Sequence, residues 1–299
     1  MDILQIQFFL SAAIAGNFTA AAIENNISQS SFSKHIMSLE NELGTNLFFR
    51  DKKSIRLTPA GERFQKHAYT ILSSYKCMTD DMADFSRKSI AYINIHSIPV
   101  IVQYKIPQVI IEFHALHPYV SFNITEGESS NVLNGMRRME CDFAILRTDF
   151  LDSNQYNMIP INVDRLVAVL PESHPLAKEE RISLRCLKGE KFLFPTDKAS
   201  LFNICMLACT KAGFTPDVPY TVSGKPEISF EIVRKEDAIC LAMGQVVNYF
   251  QMSGCKIVQL EEEYLSTTAL VYLKSRVVSS ICRKFISFVK KRQNEEDAR

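Results

Sequence analysis

No apolar run in the chain approaches the roughly 20 residues that cross a membrane, and no segment is repeated or of low complexity. The first residues lack the basic opening of a signal peptide, because Asp2 precedes an apolar stretch that Gln5 and Gln7 interrupt. The net charge is only +1, so any site that binds a polyanion has to be local. With 46% hydrophobic content, the 299 residues can bury the cores of two or three domains. We therefore expect a cytoplasmic protein of several domains without a membrane segment.

Motifs of enzymes and metal-binding proteins are missing as well. The eight cysteines form no CxxC pair, and neither they nor the six histidines show the spacing of metal ligands. No serine stands in a GxSxG setting, and the chain has no phosphate-binding loop and no GxGxxG. These absences weigh against catalysis and predict neither a metal site nor a cofactor.

Residues 19–44 instead carry the pattern of a helix-turn-helix. Thr19 is expected to cap a first short helix, and Asn25 and Asn26 tolerate the backbone of a sharp turn. Ser28 is expected to cap a second helix, which Gly44 ends. The apolar residues of this second helix form one stripe at helical period: Phe32, Ile36, Leu39 and Leu43. Two helices joined in this way make DNA the leading candidate partner.

The other face of the second helix is polar near its start. Its candidate DNA contacts are Gln29, Ser30, Ser31, Ser33 and Lys34. Donors and acceptors of this size can reach base edges and phosphates in the major groove. An ordinary amphipathic helix with a solvated side has the same pattern, so this stretch alone leaves both interpretations open.

The segments on either side favour the DNA-binding interpretation. Before the helix pair, an amphipathic helix is predicted from the spacing of Leu4, Phe8, Phe9, Ala12, Ala13 and Ala15. After it, a short hairpin with four cations within seven residues is typical of a wing: Arg50, Lys52, Lys53 and Arg56. These cations can bind phosphates, and Arg50, Lys52 and Lys53 are added to the candidate contacts. The alternative for the hairpin is a solvated loop.

Three runs in this region resemble the N-terminal domain of LysR-type transcriptional regulators: FFLSAAIAGNFTAAA, ISQSSFSKHIMSLENELGTNLFFR and the LTPAG at residues 57–61. The resemblance implies that Gln29, Ser33, Lys34 and Arg50 contact DNA. Ser30 stands where the family often has proline, and Lys34 stands where arginine is common. Lysine keeps the charge but loses the bidentate geometry of arginine.

Residues 59–87 are predicted to form one long helix that begins at Pro59. Its apolar residues recur at alternating spacings of four and three: Phe64, Ala68, Ile71, Tyr75, Met78, Met82 and Phe85. This seam spans about 40 Å, which is more than a small domain buries internally. We expect it to pair with a second copy of the chain, as the linker helix of the resembled family does. The alternative is a helix that lies on the domain formed by the rest of its own chain.

From residue 91 onward, strands and helices alternate. A βαβαβ order is predicted from strands at 93–95, 120–124 and 141–146 and helices at 102–114 and 132–139. A second set contains strands at 166–170, 192–194 and 238–241 and helices at 201–212 and 228–234. A strand at 268–273 and a helix at 279–292 then return to the first set. The order predicts two successive α/β subdomains.

The runs HPYVSFNITEG, MECDFAIL, LPESHPLA and CRKFISFV resemble the effector-binding domain of the same family, which is similar to periplasmic binding proteins. The expected fold class is therefore α/β, with an N-terminal all-α winged helix-turn-helix and a two-subdomain effector domain like that of periplasmic binding proteins. The expected domains are residues 1–58 for DNA binding, 59–89 for the linker helix and 90–299 for the effector. Within the last, subdomain I takes about 90–162 and 268–299, and subdomain II about 163–267.

An effector is expected in the cleft between the subdomains, because ligands of open α/β sheets bind beyond the carboxyl ends of strands. The candidate contacts lie on loops at those ends: His96, Ser97, Ile98, Val100, Gly127, Glu128, Ser129, Arg147, Thr196, Lys198 and Ser200. Ile98 and Val100 stand where the family often has serine and threonine. This departure predicts a less polar effector, or one anchored mainly by Thr196, Lys198 and Ser200. For most of these residues, a role as caps or as solvated loop residues is the alternative.

The resemblance implies a transcriptional regulator that binds double-stranded promoter DNA as a homodimer or homotetramer. Its further expected partners are a small-molecule effector of unknown identity and, if it is an activator, RNA polymerase. Some members of the family sense oxidants through a cysteine pair, so a thiol-based redox sensor is an alternative. Cys205 and Cys209 stand four apart on one predicted helix face, which is awkward for a disulfide, and we expect buried structural thiols. An α/β enzyme with an N-terminal helix-turn-helix is a more remote alternative.

Overall fold

The computed structural model describes residues 1–51, 54–85, 90–223, 226–250 and 253–297. The N-terminal domain is built from three helices and a hairpin. These are α1 (Ile3–Ala15), α2 (Phe18–Glu24), α3 (Gln29–Leu43), β1 (Phe48–Arg50) and β2 (Ile55–Leu57). The strands β1 and β2 pair antiparallel. Together they form the winged helix-turn-helix that the sequence predicts.

Side chains and turn residues set the ends of these helices. Ser28 caps α3 by accepting a hydrogen bond from the backbone of Ser31, and Gly44 ends the helix at a φ of 65°. The turn between α2 and α3 contains Asn26 at a φ of 55°. The predicted cap at Thr19 is wrong, because α2 begins at Phe18 and Asn17 caps it. The Asn17 side chain reaches two free amides at the helix start, whereas Thr19 already lies within the first turn.

The domain core lies between α1, α3 and the first turns of the next helix. Phe9, Phe32, Ile36 and Leu39 are fully buried in it. Leu43, which the sequence places in the same stripe, is the last residue of α3 and is 39% exposed.

The long helix α4 spans Pro59–Phe85. Proline is tolerated here because the first turn of a helix has no internal acceptor for its missing amide. Residues 86–89, with which the predicted linker ends, lie outside the described residues.

The remaining chain forms an α/β region. Its helices are α5 (Ile106–Leu116), α6 (Ser129–Arg137), α7 (Ser200–Lys211), α8 (Pro226–Glu236), α9 (Gly244–Asn248) and α10 (Ser280–Asp297). Its strands are β3 (Ala91–Ser97), β4 (Val120–Glu126), β5 (Phe143–Arg147), β6 (Tyr156–Pro171), β7 (Arg181–Ile182), β8 (Lys191–Pro195), β9 (Asp217–Val222), β10 (Ile239–Met243), β11 (Cys255–Leu260) and β12 (Leu265–Leu273). Two short 3₁₀ helices flank β7.

The long strand β6 runs through both subdomains. In the first subdomain the strand order is β4, β3, β5, β12 and β6, with β3 parallel to both β4 and β5. In the second, the later half of β6 lies between β10 and β11, and β8 and β9 follow β10. The first half of β6 pairs with β12, so this one strand connects the two subdomains. This arrangement confirms the predicted fold class.

The helix predicted at 102–114 begins four residues later than expected. Residues 99–105 form turns, and Lys105 adopts a φ of 57° immediately before α5. Pro107 explains the shift, because it has no amide for a helix that starts at 102, whereas its place in the first turn of α5 requires none. Within the described residues, no helix combines the length and the apolar character that a membrane crossing requires.

Candidate functional sites

The polar start of α3 is a solvent-exposed surface. Gln29, Ser30 and Lys34 are exposed, and Ser31 and Ser33 are half-buried. The Gln29 amide donates to the Ser33 hydroxyl at 3.0 Å, which orients the glutamine along the helix. Because Phe32 and Ile36 fix the opposite face in the core, the polar face is held outward. This surface has the shape and chemistry to enter a DNA groove.

Arg50 at the wing is held by its own domain. Its guanidinium forms an ion pair with Glu40 of α3 and lies 5.4 Å from the ring centroid of Phe18. Glu40 is 4% exposed and accepts hydrogen bonds from the amides of Leu47 and Phe48 as well. The Arg50 side chain remains 42% exposed, so it connects the wing to α3 and still faces solvent. The candidate contacts Lys52 and Lys53 lie outside the described residues.

Only part of the predicted seam on α4 is available to a partner. Ala68 is fully buried and Phe64 packs against the core of the N-terminal domain, so these two residues make contacts within their own chain and are not available to a second copy. Further along, the seam is open to solvent at Ile71, Tyr75, Met78 and Met82, which are 36% to 57% exposed. The side chain of Phe85 lies outside the part of the chain that the structure describes. An apolar row of this kind on an exposed helix is typical of a surface that another helix covers.

A cavity of about 150 Å³ lies between the two subdomains. Six of the candidate effector contacts line it: Ile98, Val100, Glu128, Ser129, Arg147 and Ser200. Pro99 of subdomain I lines it as well. The other lining residues come from subdomain II and are mostly apolar: Leu193, Pro195, Ala199, Leu201, Val222, Ser229, Phe230, Cys240, Leu241, Ala242, Met243, Val246 and Val247. The sequence prediction missed this second group. The carboxyl end of the predicted strand at 238–241 was the signal that could have found it.

Five candidate contacts do not line this cavity. His96 faces α6 on the other side of β3, because alternate residues of a strand point in opposite directions, and burial lowers the pKa of its imidazole. It lines a separate cavity of about 320 Å³ together with Gly127. The Ser97 hydroxyl donates to the Ile98 carbonyl, and the Thr196 hydroxyl is buried without a partner among the described residues. Lys198 contributes its backbone carbonyl, which accepts from Ser130.

Arg147 supplies a buried cation to the cavity between the subdomains. It is 5% exposed, and within the described part of the chain its guanidinium donates only to the Tyr104 hydroxyl, at 3.4 Å from both terminal nitrogens. Tyr104 in turn donates to Asp164 at 3.0 Å, and burial raises the pKa of this tyrosine. Most of the donor capacity of the guanidinium is therefore free to meet a ligand.

The cysteine side chains are mostly enclosed. Cys205 and Cys209 are fully buried, and burial raises the pKa of Cys205 well above its usual value and that of Cys209 to about 12. Thiols of this kind are protonated and react slowly. Cys186 is exposed and Cys77 is half-buried. No cluster of metal-binding side chains occurs among the described residues.

A thiol titration of the native protein is expected to modify Cys186 first, whereas Cys205 and Cys209 react only when the chain is unfolded. The reason is that a reagent needs both access and a thiolate, and Cys186 alone of these three has access. Replacing Cys186 with serine should remove the fast phase and leave the slow one. A fast phase that persists in Cys186→Ser and maps to Cys205 would reverse the assignment in favour of redox sensing.

Two family models together match nearly the whole chain. The LysR substrate binding domain family matches residues 91–294, and the bacterial regulatory helix-turn-helix family of the lysR type matches residues 3–62. The uncharacterized HTH-type transcriptional regulator YwbI of Bacillus subtilis (strain 168) is 30% identical over 293 residues, which are 97% of this chain and 96% of that protein.

Solved structures of full-length proteins share the fold. A full-length OxyR variant from Pseudomonas aeruginosa aligns with a TM-score of 0.63 at 20% identity, over 97% of this chain and 94% of that chain. Full-length CbnR complexed with its target DNA aligns with a TM-score of 0.55 at 18% identity, over 97% of this chain and 99% of that chain. From the two family matches and the relative that spans nearly its whole length, the chain belongs to the LysR family of transcriptional regulators.

Proposed function

We propose that this protein is a cytoplasmic regulator that binds duplex promoter DNA through the start of α3 and the wing. The exposed polar face that begins at Gln29 carries this proposal, since the domain core holds it outward. The complex of CbnR with its target DNA, which shares the fold, supports duplex DNA as the partner. Two copies would join through the exposed half of α4 and place their α3 helices in successive major grooves.

The dimer proposal predicts the effect of a charge in the seam. Met78→Glu is expected to raise the dimer dissociation constant by at least about tenfold, because a carboxylate would be buried where a methionine side chain packs. Sedimentation equilibrium measures the shift. Thr70→Glu is the matched control, since it adds the same charge at an exposed position on a different side of the helix. Equal association of wild type and Met78→Glu would show that α4 is not the interface.

We further propose that the regulator responds to a small molecule held in the cavity between the subdomains. The lining is mainly apolar, and Arg147 and Glu128 carry its charges. Glu128 already accepts a hydrogen bond from Ser223, whereas Arg147 has unused donors. A buried cation without full pairing is unfavourable, and a ligand carboxylate would relieve this cost. The effector class that fits is a small molecule with an apolar body and one acidic group.

The effector class proposed here has the expected low polarity, but its anchoring residue differs from the expected one. Ile98 and Val100 do line the cavity, which supports an effector of low polarity. Thr196 and Lys198 lie outside the lining, and Ser200 is the member of that group that faces the cavity. The anion anchor therefore moves from the loop that contains Lys198 to the end of β5, where Arg147 lies.

Mass spectrometry of the natively purified protein, followed by thermal shift with small aliphatic and aromatic monocarboxylates and their amides, tests the effector class. We expect the acids to stabilise the wild type and the amides to have little effect, because only the acids pair with the guanidinium. Arg147→Met should weaken binding of an acid by about tenfold to a hundredfold. Arg165→Met is the control, since Arg165 is half exposed and pairs with Glu263 instead. Equal responses to acids and amides would exclude the anchoring role of Arg147.

A further inference from the structure

Helix α6 contacts a different structural unit at each of its ends. At its start, the Ser129 hydroxyl lies 3.1 Å from the Ser200 hydroxyl and accepts from the Ser200 amide at 3.1 Å. The Ser130 amide donates to the Lys198 carbonyl at 3.1 Å, and Ser223 donates to Glu128. Ser200, Lys198 and Ser223 belong to subdomain II. The start of α6 is therefore bonded across the cleft, and Ser129 and Ser200 both line the cavity.

The other end of α6 meets the N-terminal domain of the same chain. Arg138, the residue that follows the helix, pairs with Glu24 at the end of α2 with an N–O distance of 2.6 Å. The Arg138 guanidinium is largely buried, and its Nε has no partner within the described residues. Met139 has a φ of 65°, which is unusual for a residue with a side chain, and it packs against the cores of both domains. This end is thus a direct contact with the DNA-binding domain.

Between these ends, α6 is held firmly on the sheet. Val132 and Met136, two residues of this helix, are buried. A Cβ added at Gly135 would lie 2.5 Å from Nδ1 of His96, so the helix approaches β3 as closely as a glycine allows. The nine residues span about 13 Å at the helical rise. A short helix packed in this way shifts or tilts as one body, because its interior cannot deform locally.

We propose that α6 transmits the state of the cleft to the DNA-binding domain of the same chain, through the contact of Arg138 with Glu24. The inference rests on the proposed effector site. A molecule in the cavity competes for the hydroxyls of Ser129 and Ser200, because both face the space that it occupies. Loss or replacement of the hydrogen bonds between Ser129 and Ser200 changes the position of the start of α6 relative to subdomain II. The end of the helix at Arg138 moves with it. The two ligand states then differ in contacts at both ends, as linkage between sites requires.

Hydrogen exchange of the full-length protein, with no effector added, tests the coupling. Ser129→Ala removes the bridge to Ser200 and is expected to change the exchange of the amides of residues 21–27, at the end of α2 and just after it, by about threefold or more. In an Arg138→Gln background, the same substitution should have no further effect on these amides. Ser173→Ala is the matched control, because it deletes a hydroxyl that bonds Asp237 within subdomain II. The amides of α10 serve as the internal reference.

Either of two results would overturn the proposal. One is an α2 response to Ser129→Ala that is the same with and without Arg138→Gln. The other is no α2 response to Ser129→Ala and none to Ser200→Ala, in variants whose circular dichroism matches the wild type. The experiment is separate from that of the effector class. Coupling without binding of acids would refute the effector alone, and binding of acids without coupling would refute the role of α6 alone.

Discussion

The double substitution Gln29→Ala with Lys34→Ala is expected to lower the affinity for a selected operator duplex by about a hundredfold. A glutamine that bonds a base edge contributes about 1–3 kcal/mol of discrimination, and a lysine on a phosphate adds to the affinity for every sequence. Both side chains are exposed at the start of α3, and the Gln29 bond to Ser33 lies on the surface, so the fold should survive. Fluorescence anisotropy with a duplex selected by the protein from a random pool measures the loss.

Salt dependence separates the two roles. Lys34→Ala alone should reduce the slope of log affinity against log salt by about one, because one counterion fewer is released. Gln29→Ala alone should leave this slope unchanged and weaken the preference for one base at one position of the operator. The control is Ser38→Ala with Asn41→Ala, which removes two exposed polar groups farther along the same helix. If specific affinity survives the Gln29 and Lys34 pair, α3 is not the recognition helix of this protein.

The order of the elements in the N-terminal domain was predictable because local patterns determine it. The stripe of Phe32, Ile36 and Leu39, the cap at Ser28 and the stop at Gly44 all act within a few residues of one another. Boundaries were less predictable where two local preferences compete. The start of α5 depends on Pro107, whose effect is stronger than the apolar periodicity before it.

The two candidate sites differ in how far the sequence could define them. The polar face of α3 follows from one helix, so its residues could be named from their spacing. The cavity needs two subdomains in contact, and its wall from β10, which includes Ala242, depends on how these subdomains meet. His96 shows the same limit within one strand, because a one-residue difference in position places a side chain on the opposite face. The seam on α4 was predicted as one surface, yet Ala68 packs against its own domain.

Glu40 connects the wing to α3, and Glu40→Ala is expected to destabilise the N-terminal domain by about 3–5 kcal/mol, mainly because two buried amides lose their acceptor. The substitution leaves the amides of Leu47 and Phe48 without their acceptor and the Arg50 guanidinium without its partner. Each unpaired buried amide costs about 1–3 kcal/mol, and the lost ion pair adds to this. Hydrogen exchange of the α3 amides as a function of urea measures the loss within this domain, independently of the effector domain.

Two further variants, at Glu40 and at the nearby Glu42, identify the cause. Glu40→Gln retains an oxygen for the two amides but loses the charge, so it should cost less than Glu40→Ala and still release Arg50. Glu42→Ala removes an exposed carboxylate two residues away and should be nearly silent. If Glu40→Ala is as stable as Glu42→Ala, the wing is held by its apolar contacts alone. If the predicted order holds, DNA affinity should fall with stability across the series, because Arg50 and the hairpin can face the phosphates only while Glu40 positions them.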